Sequence, residues 1–385
     1  MTYTWKYFKE KIIGQKGLLS IGFADIVGSA ISALFWFYIA SLLEPEKYGE
    51  IIYFIGIASL AQLVSSIGSN NTLTVYSAKG VKIQSTLFFL SMIATAGSIA
   101  VLAVYFNRID TSILAAGYVV FSLINSILLG KKLFLKYSKI VLLQKILTLT
   151  LGLGFYFGFG PEGIIYGLAF SYIPYFIIFV KEFSETKINF RLLESRKGFI
   201  INNYVMSLTA GLGGTIDKLI VAPILGFVLL GNYSLSLQML TMMMMVSSII
   251  YKYLLPYEAS GKSNNKIRQI TIIISIGIAI LGVTILPDAI DWLFPKFIDA
   301  KDTIQIMSIG VVPGTISILY SAKFLGREKS KIVLITKLVS LGLLVGGVIY
   351  FGPIYGATGL GWIVVGVMTW EAAFLAVINK MNRVN

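Results

Sequence analysis

Stretches of 20 residues or more without a charged side chain recur along this chain, among them Ile51–Ala78, Ile83–Asn107, Thr111–Gly130 and Thr303–Ala322. Nothing else in the sequence restricts the fold as strongly. About 20 apolar residues in a helix rising 1.5 Å per residue cross the roughly 30 Å hydrocarbon core of a bilayer. Charged residues are 13% of the chain and mean hydropathy is +0.82, where a soluble domain carries about 25% charge. The chain reads as an all-α polytopic membrane protein. Leu18–Leu43 is too long for the apolar core of a signal peptide and lacks a small-residue cleavage site, so it reads as the first span. Cysteine and histidine are both absent. That excludes thiol chemistry, disulfides, haem ligation and the usual zinc sites.

Hydropathy places twelve transmembrane helices near residues 17–43, 50–70, 83–106, 111–130, 139–159, 163–180, 199–222, 227–251, 269–287, 303–322, 331–351 and 356–378. Alternate connections carry 25 of the 32 basic residues, from Lys6 and Lys9 at one terminus to Lys380 and Arg383 at the other. The opposite side holds only Lys47, Arg108, Lys296 and Lys301. The positive-inside rule then puts both termini in the cytoplasm of a multi-pass protein of the cell (plasma) membrane. The net charge of +14 follows from this topology, with membrane lipids as its partners, and gives no reason to invoke nucleic acid. Trp36, Trp292 and Trp362 fall near the outer interface and Trp5 near the inner one, as belt residues do.

The chain also repeats itself. "SLLEPEKYGEIIYFIGIASLAQLVSSI" (Ser41–Ile67) lies over "PILGFVLLGNYSLSLQMLTMMMMVSSI" (Pro223–Ile249) at an offset of 182, matching Gly49 to Gly231. Further on the offset is 192, matching Gly160-Pro161 to Gly352-Pro353 and Lys145 to Lys337. Each half has six spans and starts inside. The expectation is two six-helix lobes, 1–187 and 188–385, related by a pseudo-twofold axis along the membrane normal. Such lobes work by alternating access around a site at their interface.

The segment "LLEPEKYG" after the first span is similar to the Leu-Gly-Pro-Glu-Glu-Tyr-Gly segment of polysaccharide-biosynthesis flippases. "IDKLIVAPILGFVLLGNYSLSLQM" and "GPEGIIYGLAFSY" likewise resemble the oligosaccharide-flippase branch of the multidrug/oligosaccharidyl-lipid/polysaccharide (MOP) exporter superfamily. The chain has Glu44-Pro45 where many members carry Gly-Pro. The resemblance implies a transporter that moves a lipid-linked oligosaccharide, a polyprenyl phosphate or diphosphate glycan, from the cytoplasmic to the outer leaflet. Glycan-assembly enzymes would be its partners in building a surface polysaccharide or glycoprotein.

Six ionisable residues lie inside spans: Asp25, Lys145, Asp217, Lys218, Lys337 and Glu371. Such groups are costly in hydrocarbon and face protein or water. Lys145 and Lys337, repeat mates roughly 9 Å deep, read as two ammonium groups facing a diphosphate or as snorkelling side chains. Asp25 and Glu371 read as their counter-ions or as sites for a coupling sodium ion or proton; membrane potential is the other energy source, and no cofactor is expected. Asp217 and Lys218 are adjacent and point about 100° apart on a helix, which argues against a local ion pair. They read as lining the outer part of the cleft or as a tie to another span. "MLTMMMM" (Met239–Met245) reads as packing or as a flexible gate. Pro174 and Pro313-Gly314 predict bends in spans six and ten. The competing reading within transport is a MATE-like cation or drug antiporter. A membrane glycosyltransferase needs large outer loops or a catalytic His, whereas the longest outer loop here is about 15 residues (288–302).

Overall fold

The computed structural model describes residues 2–259 and 264–384, which form helices joined by short turns, with no strand. Lys262 lies outside them, as do the side chains of Trp5, Lys6, Lys9, Lys11, Lys16 and Arg383. Six spans run over Ser20–Leu42, Pro45–Ser65, Gln84–Tyr105, Ile109–Gly130, Phe134–Phe159 and Gly163–Ser184, the last with a two-residue turn at Ser171–Tyr172. Span nine is Asn265–Thr284. Spans seven (Lys197–Leu212 and Ile216–Leu225), eight (Phe227–Met243 and Met245–Leu255) and ten (Ile298–Ile309 and Val311–Gly326) are each two arms bent by 46–48°. The last helical run, Ser330–Met381, has 52 residues and turns at Gly356 (φ 57°, ψ −140°). A straight helix of that length would measure about 78 Å, far beyond one bilayer, so it holds spans eleven and twelve.

The bends in spans seven and eight correct the picture of continuous spans, while the one in span ten falls where Pro313-Gly314 predicts it. In span seven, Gly213, Gly214 and Thr215 leave the helix, and glycine there weakens the ladder while neighbouring helices re-satisfy the freed backbone groups. In span ten the break falls at Gly310, and Pro313 stands in the first turn of the second arm, where its missing N–H has no helical acceptor to lose. Pro174 is placed in the same way at the start of Ile173–Ser184. Span eight breaks inside its methionine run. Met243 and Met244 fill the space left by the absent side chains of Gly282 and Gly314, so these two methionines pack within the helix bundle. The repeat landmark Gly-Pro behaves differently in its two copies. Gly160 (φ 72°) ends span five, whereas the second copy stays helical through Pro353 and turns only at Gly356.

By internal packing the chain divides into two compact units, residues 1–36 with 54–215 and residues 37–53 with 216–385. In the second unit, the starts of spans two and eight cross. A Cβ on Gly49 would lie 2.0 Å from the Phe227 carbonyl oxygen, and one on Gly231 would lie 2.0 Å from that of Pro45. Pro45 and Phe227 are themselves related by the 182-residue offset. The contact is therefore reciprocal in the way a twofold interface is, and it realises the sequence repeat in space. Tyr48 closes one flank, donating to Gln238 Oε1 at 3.2 Å, and the Tyr53 and Phe227 rings meet edge-on on the other. The loop expected over 288–302 is partly ordered as helix Leu286–Leu293. It exposes Trp292 and is followed by buried Phe294 and Phe297, whose rings meet Phe37 and Tyr48.

In the first unit, the turn after span two closes at Gly68, in the left-handed region (φ 66°). A Cβ there would come within 2.5 Å of the Ile200 carbonyl oxygen. Tyr204, on the same arm of span seven, donates to the Val64 carbonyl at 3.1 Å.

Candidate functional site

The intramembrane charges fall into three settings. In the first unit, Asp25 and Gly28 share a face of span one, being three residues apart. The stem of Lys145 from span five lies along that face, its Cγ 3.3 Å from where a Gly28 Cβ would stand. Glycine at 28 therefore makes room for the lysine. The expected Asp25–Lys145 counter-ion pair is not formed; Lys145 makes no ion pair or hydrogen bond among the described residues. Asp25 does have an interaction of its own, and it acts electrostatically on Tyr137.

In the second unit, the repeat mate Lys337 is fully engaged. Its Nζ donates to both carboxylate oxygens of Glu371 at 2.8 Å, and Ser317 donates to Glu371 Oε2 at 2.7 Å. Glu371 is buried, while the Lys337 side chain is 53% exposed. Spans ten, eleven and twelve thus meet at one carboxylate.

The third setting is Asp217-Lys218, and it corrects the local geometry expected from the sequence. The two do form an ion pair, Lys218 Nζ to Asp217 Oδ1 at 3.2 Å. The break at Gly213–Thr215 makes Asp217 a first-turn residue of a new helix, where a carboxylate is favoured by the free N–H groups and the dipole. Its Oδ1 accepts the Lys218 backbone N–H at 2.9 Å, so the carboxylate turns toward Lys218 and the flexible stem curls back to it. Buried Tyr233 of span eight donates to Oδ2 at 3.0 Å. Asp217 is therefore a tie between spans seven and eight. Asn70 and Asn203, near span ends, are taken up as well: Ser122 donates to Asn70 at 2.5 Å, and Asn203 donates to the Phe199 carbonyl.

No protein-family model and no curated protein sequence matches this chain. Solved structures do. A multidrug-resistance MATE family transporter of the MOP superfamily, in an inward-facing conformation, superposes with a TM-score of 0.70 over 96% of this chain and 97% of its own, at 15% identity. The lipid II flippase MurJ, inward closed, superposes with a TM-score of 0.77 over 94% of this chain and 87% of its own, at 12% identity. A MOP superfamily transporter from Pyrococcus furiosus, described as having a binding pocket of reversed polarity, gives 0.57 at 17% identity. The chain has the fold of the MATE and MurJ transporters.

Within this fold, the sequence reading missed a pair of clamps at the basic ends of the spans. Lys131, ending span four, donates to Glu182 and Glu185 of span six and its C-cap, both at 2.7 Å. Its mate at offset 192, Lys323, is buried at the end of span ten and donates to Asn379 of span twelve at 2.5 Å. Both tie the fourth span of a half to its sixth. The 192 offset that pairs Lys145 with Lys337 also pairs these two, so the signal was present. A third cluster, Arg268 and Arg327 on buried Glu258, joins spans eight, nine and ten.

Burial alone would pull the Lys131 ammonium down, but its hydrogen bonds to Glu182 and Glu185 outweigh this and raise it. Lys131 in turn holds Glu185 below the usual carboxylate range. Glu185 thus contributes stability above its unfolded value of about 4.3 that is lost as pH falls through the folded one; Lys131 contributes below about 10.4 and loses it as pH rises. Lys131→Met is expected to cost about 1–3 kcal/mol at pH 7, discounted for the part-exposed partner Glu185. Thermal unfolding in detergent checks this; a deficit as large at pH 3.5 as at pH 7 would contradict the linkage.

Proposed function

We propose that this chain is a flippase that moves a lipid-linked oligosaccharide, carried on a polyprenyl phosphate or diphosphate, to the outer leaflet by alternating access of its repeat lobes, 1–187 and 188–385. The pairing of charges inside the spans carries the reading. Asp217 holds a lysine and a tyrosine hydroxyl, and Glu371 holds a lysine and a serine hydroxyl. Lys145 has no such partner among the described residues. Two acids and two lysines are thus paired off, Asp25 has an interaction of its own, and Lys145 is the lysine that keeps an ammonium without an acid among the described residues, which suits an anionic headgroup. In this reading Lys145 contacts the phosphate as a point charge, while Lys337 holds Glu371 in place. In this reading a coupling sodium ion or proton taken up at Asp25, or membrane potential, supplies the drive.

The test is reconstitution in liposomes with a labelled lipid-linked glycan. Wild type is expected to expose the glycan outside faster than protein-free liposomes. Lys145→Gln is expected to slow this roughly 10–100-fold, as for one charged hydrogen bond, with Lys145→Arg retaining much of the rate. No gain over protein-free liposomes, or an unaltered Lys145→Gln rate, would end the proposal. The antiporter reading is favoured by the MATE neighbour, which this chain covers almost end to end. It predicts efflux of a cationic dye from the same liposomes, abolished by Asp25→Asn.

A further inference from the structure

The segment between spans six and seven has a cavity of its own. Its floor is apolar, made by Phe190, Leu193, Ile200 and Ile201, and its volume is about 450 Å³. Its rim carries Arg191, Glu194 and Lys197, all exposed. Three of the other charges nearby are already used. Glu182 and Glu185 are held by Lys131. Arg196 donates to the Leu192 carbonyl at 2.8 Å and lies over the Tyr76 ring. The side chains of Arg191 and Lys197 have no partner among the described residues. The floor also does not end at the rim. Ile201 is 57% exposed, and Val205, one turn further into span seven, is 56% exposed. A cationic rim therefore opens onto an apolar strip leading into the depth of a span.

We infer that this groove binds an anionic glycerophospholipid, its phosphate between Arg191 and Lys197 and its acyl chain along Phe190, Ile201 and Val205. A soluble anion would leave the apolar floor wet, whereas a lipid covers both parts at once. Glu194 fixes the charge class. With two cations and one carboxylate, the rim has a net charge of about +1, which neutralises a phosphodiester monoanion and leaves a second negative charge uncompensated. That separates bilayer phospholipid from a polyprenyl diphosphate, and the inference stands independently of the transport proposal. The groove lies on the segment joining the two halves of the sequence, so lipid occupancy would order that junction.

Native mass spectrometry of the full chain in detergent, titrated with dioleoyl phosphatidylglycerol or dioleoyl phosphatidylcholine, tests this. Phosphatidylglycerol is expected to be retained more tightly. Arg191→Gln with Lys197→Gln is expected to weaken it roughly 30-fold, the product of two surface cation contacts. Glu194→Gln is expected to strengthen it. Lys329→Gln with Lys331→Gln, on another basic loop, is expected to leave it unchanged and shows that the effect is local. Equal retention of the two lipids, no loss in the Arg191/Lys197 variant, or an equal loss in the Lys329/Lys331 variant would overturn the inference. Stronger binding of a polyprenyl diphosphate at the same residues would overturn it too, by giving the groove to the transported substrate.

Discussion

Valine at Gly49 is expected to prevent accumulation of folded protein, and alanine there to lower the thermal midpoint by several degrees. An alanine Cβ would stand 2.0 Å from the Phe227 carbonyl oxygen and 2.8 Å from the Gly231 backbone nitrogen. Both are main-chain atoms, so no rotamer change relieves the clash, and spans two and eight must separate. Overpacking against movable side chains costs about 1–3 kcal/mol; a helix pair packed through small residues has less to give. Separation would also pull Tyr48 from Gln238 and Tyr53 from Phe227. Gly231→Ala, the reciprocal change, is expected to cost a similar amount. The double variant should cost less than the sum, because the first substitution already spreads the crossing. Gly97→Ala and Gly158→Ala, whose added Cβ meets nothing within 4 Å, serve as controls. Thermal unfolding monitored by size-exclusion chromatography gives the answer. A Gly49→Ala protein as stable as the controls would remove the crossing from the account.

The second large effect concerns Lys337 and Glu371, and here the two partners are unequal. Lys337→Met leaves buried Glu371 with only the Ser317 hydroxyl and an uncompensated charge, and is expected to cost about 2–4 kcal/mol after allowance for the half-exposed lysine. Glu371→Gln keeps an acceptor for Ser317 and leaves a lysine on a flexible stem that reaches water or headgroups, so about 1 kcal/mol is expected. The double variant should recover much of the Lys337→Met loss. The double-mutant cycle in detergent reads the coupling directly. An equal or smaller loss in Lys337→Met than in Glu371→Gln would show that the carboxylate is not the group the fold depends on. Lys145→Gln, by contrast, has no partner to strand and should fold normally.

Much of the architecture was legible because it rests on local quantities. Span length and charge content reflect bilayer thickness and the cost of ions in hydrocarbon, and both can be counted along the chain. The Gly49–Gly231 match marked a spatial contact because a twofold repeat puts equivalent residues against each other near its axis. The bends were less legible. Pro313 announced one, but Gly213-Gly214 is unremarkable in membrane helices, where glycine is common, and nothing near Met244 marks a break. Gly-Pro misled at Gly352, since the second copy stays helical where the first turns.

The candidate site divides in the same way. Sequence alone determined which ionisable groups lie in the spans, that Lys145 and Lys337 are repeat mates, and that a chain without cysteine or histidine does no thiol chemistry and lacks the usual zinc ligands. Only the tertiary structure decided who partners whom. Glu371 reaches Lys337 across two spans and takes Ser317 from a third, while Lys145 lies beside Gly28 without an acid. Asp217 faces Tyr233 because a helix break re-aims it. Partner choice depends on rotation and bending of helices far apart in sequence, which hydropathy does not encode. Two lysines that the repeat makes equivalent thus end with opposite electrostatic roles.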